Sequence, residues 1–128
     1  MKPITREWVD KAEGDWASAQ REVRARKAPN YDAACFHAQQ CAEKYLKARL
    51  QEAGASFGRT HDLPTLLAIA LTIEPTWSAL KPDMLVLTDF AVEYRYPGSS
   101  ATKTEARDAV ARCRRIRAAV RRAFHLPI

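Results

Sequence analysis

Three short segments of this 128-residue chain carry side chains whose types and spacing suit the capture of an anion. In the first, His37, Gln40, Lys44 and Lys47 recur at steps of three and four, so a helix would set them on one side. The second is Thr60-His61-Asp62-Leu63, and the third is Tyr94-Arg95-Tyr96-Pro97. Lys44 and Lys47 would supply point charges for a phosphate, and Arg95 a bidentate fork. His61 could donate to a phosphate oxygen, and Tyr94 or Tyr96 could stack on a base. Each also has a plainer use. Lys44 could pair with Gln40 or Glu43 on a solvated helix surface. His61 and Asp62 could simply begin a helix. Arg95-Tyr96-Pro97 could be a clamp, its guanidinium bonded to helix-end carbonyls and its ring packed in the core. No nucleophile–base pair, paired-carboxylate site or metal-ligand spacing is visible, so no catalytic residue, metal or cofactor is expected.

The elements that must position these groups are helical. Tyr31 to Ala53 reads as one long central helix. Its stripe of Tyr31, Ala34, Cys35, Ala38, Cys41, Ala42, Tyr45, Ala48 and Arg49 recurs at three and four, and its small residues would let neighbours come close. A first helix is expected from Arg6 to Arg26, with Thr5 as N-cap and Trp8 and Trp16 as core anchors. Gly14 within it could mark a close helix contact. A third runs from Leu63 to Thr72, capped by Asp62. After a turn near Thr76 to Leu80, a fourth runs from Pro82 to Glu93, packing through Met84, Leu85, Leu87, Phe90 and Ala91. The fifth opens with Thr102 and Glu105 as a capping box and ends near Phe124, with Cys113 among its inward residues. The chain is expected to be one domain over residues 1–128, an all-α up-and-down bundle of about five helices. Phe36, Leu46 and Leu50 form a further partly apolar side of the central helix, which predicts a two-fold dimer.

Charge is unevenly placed. Residues 1–101 hold thirteen Lys/Arg and thirteen Asp/Glu, whereas residues 102–128 hold eight and two, the whole net charge of +6. Arg114, Arg115, Arg121 and Arg122 therefore form a candidate nucleic-acid or partner patch on the last helix, with Arg107 also able to point outward. A solvated face or an acidic partner chain would use the same charge. No apolar run reaches the roughly 20 residues needed to span a bilayer, and the N-terminus lacks a signal-peptide apolar core, so a cytoplasmic location without membrane contact is expected. The three cysteines read as small core residues.

The three segments, in this order, resemble the HEPN domains. Many of those show a QxxEKxLKA helix, here Gln40, Glu43, Lys44, Leu46, Lys47 and Ala48. They also show a helix start like Thr60-His61-Asp62-Leu63 and an element like Arg95-Tyr96-Pro97. The likeness spans the first helix to the last. It implies a helical bundle, usually dimeric, and two functional branches. One branch binds nucleotides or serves as an accessory beside a small nucleotidyltransferase, in toxin–antitoxin-like pairs. The other consists of ribonuclease toxins that use Arg, four to six residues, then His near the start of the last helix. No Arg here has a His at that spacing. Positions 100–102 after Arg95 are Ser, Ala and Thr, and His125 follows Arg121 too closely. The expectation is a non-catalytic nucleotide- or RNA-binding module using Arg95, Lys44, Lys47, His61, Gln40 and Tyr96. The alternatives are a ribonuclease with a non-standard site across a dimer, built from Arg95 and His61, and a purely structural interaction domain.

Overall fold

The computed structural model describes residues 1–128 and is helical throughout: α1 (Pro3–Arg24), α2 (Tyr31–Glu52), α3 (Leu63–Ala70), a 3-10 turn (Pro75–Leu80), α4 (Lys81–Glu93) and α5 (Lys103–Ala123). Sequence signals set most of these ends. The Asn30 side chain accepts from Ala33 N at 2.9 Å to cap α2, and the Asp62 carboxylate accepts from Thr65 N at 3.0 Å to cap α3. Thr102 and Glu105 complete the capping box of α5. Gly54, at φ +72°, takes the left-handed conformation that ends α2.

The start of α1 differs from expectation. Pro3 occupies the first turn, where its missing N–H removes no helical bond, so the helix begins there rather than at Arg6. Thr5 does not cap it. Its hydroxyl is buried and donates to Glu52 Oε1 at 2.9 Å, tying the start of α1 to the end of α2. α1 stops at Arg24, two residues early, and α3 stops at Ala70, where the chain turns toward Pro75. Gly14 is exposed, and a Cβ there would meet nothing within 4 Å, so it marks no close contact.

α2 lies at the centre, touching α1, α3, α4 and α5. Its stripe of Ala34, Cys35, Ala38, Cys41, Ala42, Tyr45 and Ala48 is buried, and the small side chains admit α1 and α5 closely. α1 runs antiparallel to α2: Lys2 N donates to Glu52, and Asn30 N donates to Glu22 at the other end. α5 runs alongside α2 in the same direction, since Asp32 accepts from Ala101 N while Arg121 reaches Tyr45. α4 runs back against α5, with Asp83 at its start held by Arg115 and Tyr94 after its end bonded to Glu105. The result is a bundle of five helices.

Leu46 and Leu50, expected to need a partner subunit for cover, are fully buried within this one chain; only Phe36 of that set is exposed. Leu85 also departs from expectation and faces solvent. Cys35, Cys41 and Cys113 are free and buried, and burial pushes the Cys35 thiol up to about 12, as befits core residues. No helix is long and apolar enough to cross a membrane.

Candidate functional site

The largest hollow that gathers chemistry-bearing residues is a cleft of about 470 Å³ between α2, the start of α3 and the end of α4. α2 contributes Phe36, Gln39 and Gln40; the start of α3 contributes His61 and Asp62; α4 contributes Thr88, Ala91 and Val92, with Arg95 just beyond it. Three residues singled out in the sequence thus meet on one cleft: Gln40, His61 and Arg95. Arg95 is exposed, and its guanidinium makes no hydrogen bond or ion pair. It also lines a second hollow of about 320 Å³ bounded by Asn30, Asp32, Phe36 and Tyr94, so it stands on the ridge between the two. The clamp reading of Arg95-Tyr96-Pro97 fails on these observations. The guanidinium holds no carbonyl, and the Tyr96 ring is 67% exposed rather than packed. Tyr94 is the ring that is held, its hydroxyl donating to Glu105 Oε2. That bond and those within the Thr102 cap hold Glu105 below the usual carboxylate value.

Lys44 and Lys47 do not reach the cleft. Lys44 Nζ donates to Asp15 Oδ2 on α1 at 2.5 Å, and His37 Nδ1 meets the other oxygen of that carboxylate at 2.8 Å. Lys47 is only 5% exposed. Its ammonium donates to Glu43 Oε2 at 3.1 Å and lies 5.5 Å from the Trp8 ring centre and 5.9 Å from that of Phe57. The expected stripe of His37, Gln40, Lys44 and Lys47 is therefore divided among neighbours. α1 takes His37 and Lys44, Lys47 turns inward, and Gln40 alone faces the cleft.

Glu43, read in the sequence only as a motif residue and a possible surface partner of Lys44, connects these groups. Its buried carboxylate accepts from Gln39 Nε2 at 3.2 Å and from Lys47, and Oε2 lies 3.0 Å from His61 Nδ1. A carboxylate facing Nδ1 places the ring hydrogen there and leaves Nε2 as the free nitrogen of an exposed ring. Gln40 Nε2 in turn donates to Gln39 Oε1 at 2.7 Å, and Gln39 Nε2 also donates to the His61 carbonyl at 3.3 Å. Gln40 and His61 are thus joined through Gln39 and Glu43 in one hydrogen-bond network, while Arg95 stands outside it. The spacing of Gln39, Glu43 and Lys47 at i, i+4 and i+8 was the available signal; the reach across to His61 was not.

The amides at the start of α5, just past the Arg95 loop, are largely taken. Ala101 N is taken by Asp32, Thr102 N by Glu105, and Glu105 N by Thr102.

The arginines of α5 are also redistributed. Arg114 and Arg121 lie on one side of the helix and Arg115 and Arg122 about 100° further round, so the four do not make one patch. Arg115, with Arg112, holds the buried Asp83 carboxylate, at 2.7 Å for its closer contact. Arg121 turns inward to donate to the Tyr45 hydroxyl, and Arg117 grips Glu13 through two bonds of 2.8 and 2.7 Å. Burial acts to raise the Glu13 pKa, but the bonds from Arg117 and Tyr45 outweigh it and hold it below the usual value. Only Arg114 and Arg122 of the expected patch are exposed without a carboxylate partner.

Residues 5–123 match the sequence model of the HEPN domain. The chain belongs to the HEPN family. The crystal structure of an archaeal HEPN homologue superposes with a TM-score of 0.68 at 25% sequence identity, covering 96% of this chain and 98% of that one. A comparison with curated proteins gives no match. This HEPN domain thus has the family's helical bundle, with Gln40, His61 and Arg95 from its three motif segments on one cleft.

Proposed function

We propose that this HEPN domain is a non-catalytic nucleotide- or RNA-binding module. In this reading it acts as a homodimer beside a small nucleotidyltransferase, in a toxin–antitoxin-like or accessory pair, and the phosphate of its ligand sits in the cleft between α2, α3 and α4. The observation that carries the reading is Arg95. An exposed guanidinium with no partner stands at the mouth of a cleft that also presents the Gln40 amide and the ring of His61. Such a fork is suited to a bidentate phosphate contact. Phe36, Ala91 and Val92 supply an apolar wall for a base or sugar, and Tyr96 stands exposed beyond them. Asp62 is the acidic residue of the lining, and its carboxylate is occupied by the amide and hydroxyl of Thr65. The exposed Phe36 and Val92 give a second subunit apolar surface to cover at the same rim.

The test is a calorimetric titration of wild type and Arg95→Ala with adenosine and guanosine nucleotides. Loss of a charge-assisted bond of roughly 1.5–3 kcal/mol predicts binding weakened about ten- to a hundredfold. Equal affinity in both proteins would remove the basis of the proposal.

One observation favours a second reading: Arg95 and His61, a cation and an imidazole with a free Nε2, share the cleft. A metal-independent ribonuclease would need such a pair for charge stabilisation and proton transfer. Cleavage of RNA in EDTA that disappears in both His61→Ala and Arg95→Ala would select this reading; intact RNA selects the binding module.

A further inference from the structure

Arg95 belongs to two hollows at once. The cleft of about 470 Å³ lies on one side of it and the hollow of about 320 Å³ on the other. Phe36, Ala91 and Arg95 line both, so the two meet along a ridge made by these three residues. Arg95 is the only lysine or arginine on either lining. The α2 lysines that could have extended its charge are spent, Lys44 on Asp15 and Lys47 on Glu43.

The smaller hollow differs in chemistry from the ridge. Three aromatic rings wall it, those of Phe36, Phe90 and Tyr94. The Phe90 and Tyr94 ring centres are 5.8 Å apart, and the Tyr94 hydroxyl is tethered to Glu105. Rings held in this way offer their faces to a planar base with little freedom left to lose. Asn30 spends its carbonyl on the α2 cap. Asp32 accepts from Ala101 N through Oδ1 at 2.7 Å, while its Oδ2 has no donor. A free carboxylate oxygen repels a phosphate but accepts from a hydroxyl or an amino group. The smaller hollow therefore suits a nucleoside and leaves the phosphate to the guanidinium on the ridge.

The larger cleft suits a nucleoside for a related reason. Phe36, Ala91 and Val92 make its apolar wall. Gln39 Nε2 contacts two acceptors, the Glu43 carboxylate and the His61 carbonyl, so Gln39 Oε1 receives the Gln40 N–H. The carbonyl oxygen is then the free end of the Gln40 amide. Hydroxyl and amino hydrogens find acceptors on this side too, at Gln40 Oε1 and His61 Nε2.

We propose that the ligand is a dinucleotide: two nucleosides joined by a short phosphate bridge, with the bridge on Arg95 and one nucleoside in each hollow. This rests on the reading that Arg95 binds phosphate at the cleft, and adds that a mononucleotide fills only one of the two hollows. A strand of RNA matches the site less well. It carries a phosphate at every step, and neither hollow has a second lysine or arginine to meet the next one.

Calorimetric titrations with ADP, GDP, diadenosine diphosphate and diguanosine diphosphate test the proposal. Stacking of the second base predicts that wild type binds one of the dinucleotides about tenfold more tightly than the matching mononucleotide. The dinucleotide carries less charge than the mononucleotide, so such a gain comes from the second nucleoside. Ala33 lines the smaller hollow and not the cleft. Ala33→Leu fills that hollow with a good helix former. It should abolish the gain and leave mononucleotide affinity within about twofold of wild type. Ala33→Met, whose flexible chain fills the same space, repeats the test should Leu lower the melting temperature. Arg95→Ala should weaken both kinds of ligand. Equal affinity for mononucleotide and dinucleotide, both weakened in Arg95→Ala, overturns the proposal and leaves the cleft as a mononucleotide site. A gain that survives in both Ala33 variants overturns it too, because the second nucleoside then lies elsewhere. Affinity that rises further from the dinucleotide to a ten-nucleotide RNA marks a strand as the ligand and overturns it as well. Absence of all binding overturns both the proposal and the reading of the cleft beneath it.

Discussion

Glu43 Oε2 lies 3.0 Å from His61 Nδ1 and 3.1 Å from Lys47 Nζ, so one buried carboxylate oxygen joins an interior ammonium to an exposed imidazole on the cleft. The ring of His61 is 78% exposed while the carboxylate beneath it is 3% exposed. The interior pair therefore fixes the orientation of a group that solvent can reach.

That arrangement makes a stability prediction. Glu43→Gln leaves the Lys47 charge buried between Trp8 and Phe57 without its counter-ion, which should destabilise the fold by about 3–5 kcal/mol. Glu43→Gln combined with Lys47→Met removes both charges and should be considerably less harmful than Glu43→Gln alone. Urea unfolding of the three variants measures the coupling. Additive effects in the double variant would mean that the pair does not act as a unit.

Acid sensitivity should trace in part to Glu13. Burial raises its pKa, but hydrogen bonds from Arg117 and Tyr45, with the charges of Arg117 and Arg121, bring it below its ordinary 4.5 in the folded chain. A depressed carboxylate contributes stability that is fully present above the unfolded value and is lost as pH falls through the folded one. Glu13→Gln should therefore be less stable than wild type at neutral pH and show a flatter decline of melting temperature below about pH 4.5. The decline should not vanish, because Glu105, bonded by Tyr94, and Glu52, bonded by the Lys2 amide, are lowered as well. Melting curves from pH 7 to 3 provide the comparison.

Gly14 should be an opportunity for stabilisation. It lies in the middle of α1, exposed, with open space where a Cβ would stand. Gly14→Ala should gain about 1 kcal/mol from helix propensity alone, visible as a rise of a few degrees in melting temperature. A fall instead would reveal a contact at this face, such as a second subunit.

The parts of this fold legible in sequence were those that depend on neighbours along the chain. Asn30, Asp62, Gly54 and the Thr102–Glu105 box all mark helix ends by local hydrogen bonding or a left-handed φ, and the alanine and cysteine stripe of α2 marks its buried side. Thr5 misled because a Thr after a Pro reads as a cap, whereas the distant Glu52 claims its hydroxyl. Of the candidate cleft, Gln40, His61 and Arg95 were legible as residues of interest, one from each motif segment, but their meeting on one hollow was not. Lys44 and Lys47 share their helical side with Gln40, and only packing decides that Asp15 and Glu43 take them. The same holds for α5, whose arginines look equally free in sequence until Glu13 and Asp83, 104 and 32 residues away from Arg117 and Arg115, select among them.

Arg95 offers the sharpest test of the cleft, because its charge and its geometry can be separated. The side chain is exposed and unpaired, so neither Arg95→Ala nor Arg95→Lys removes a contact that holds the fold, and both should melt within a degree or two of wild type. Binding should distinguish them. A ligand attracted only by positive charge would be held nearly as well by lysine. A phosphate gripped by the fork loses its second parallel N–H bond in Arg95→Lys, leaving an ammonium on a flexible stem. The expected order of nucleotide affinity is wild type, then Arg95→Lys weaker by about tenfold, then Arg95→Ala weaker still. Gln40→Ala, which removes a neutral amide from the same cleft, should weaken binding less than Arg95→Ala does. If Arg95→Lys binds as wild type does, the guanidinium acts through charge alone and the bidentate geometry is wrong. If Arg95→Ala also binds unchanged, the phosphate is held elsewhere.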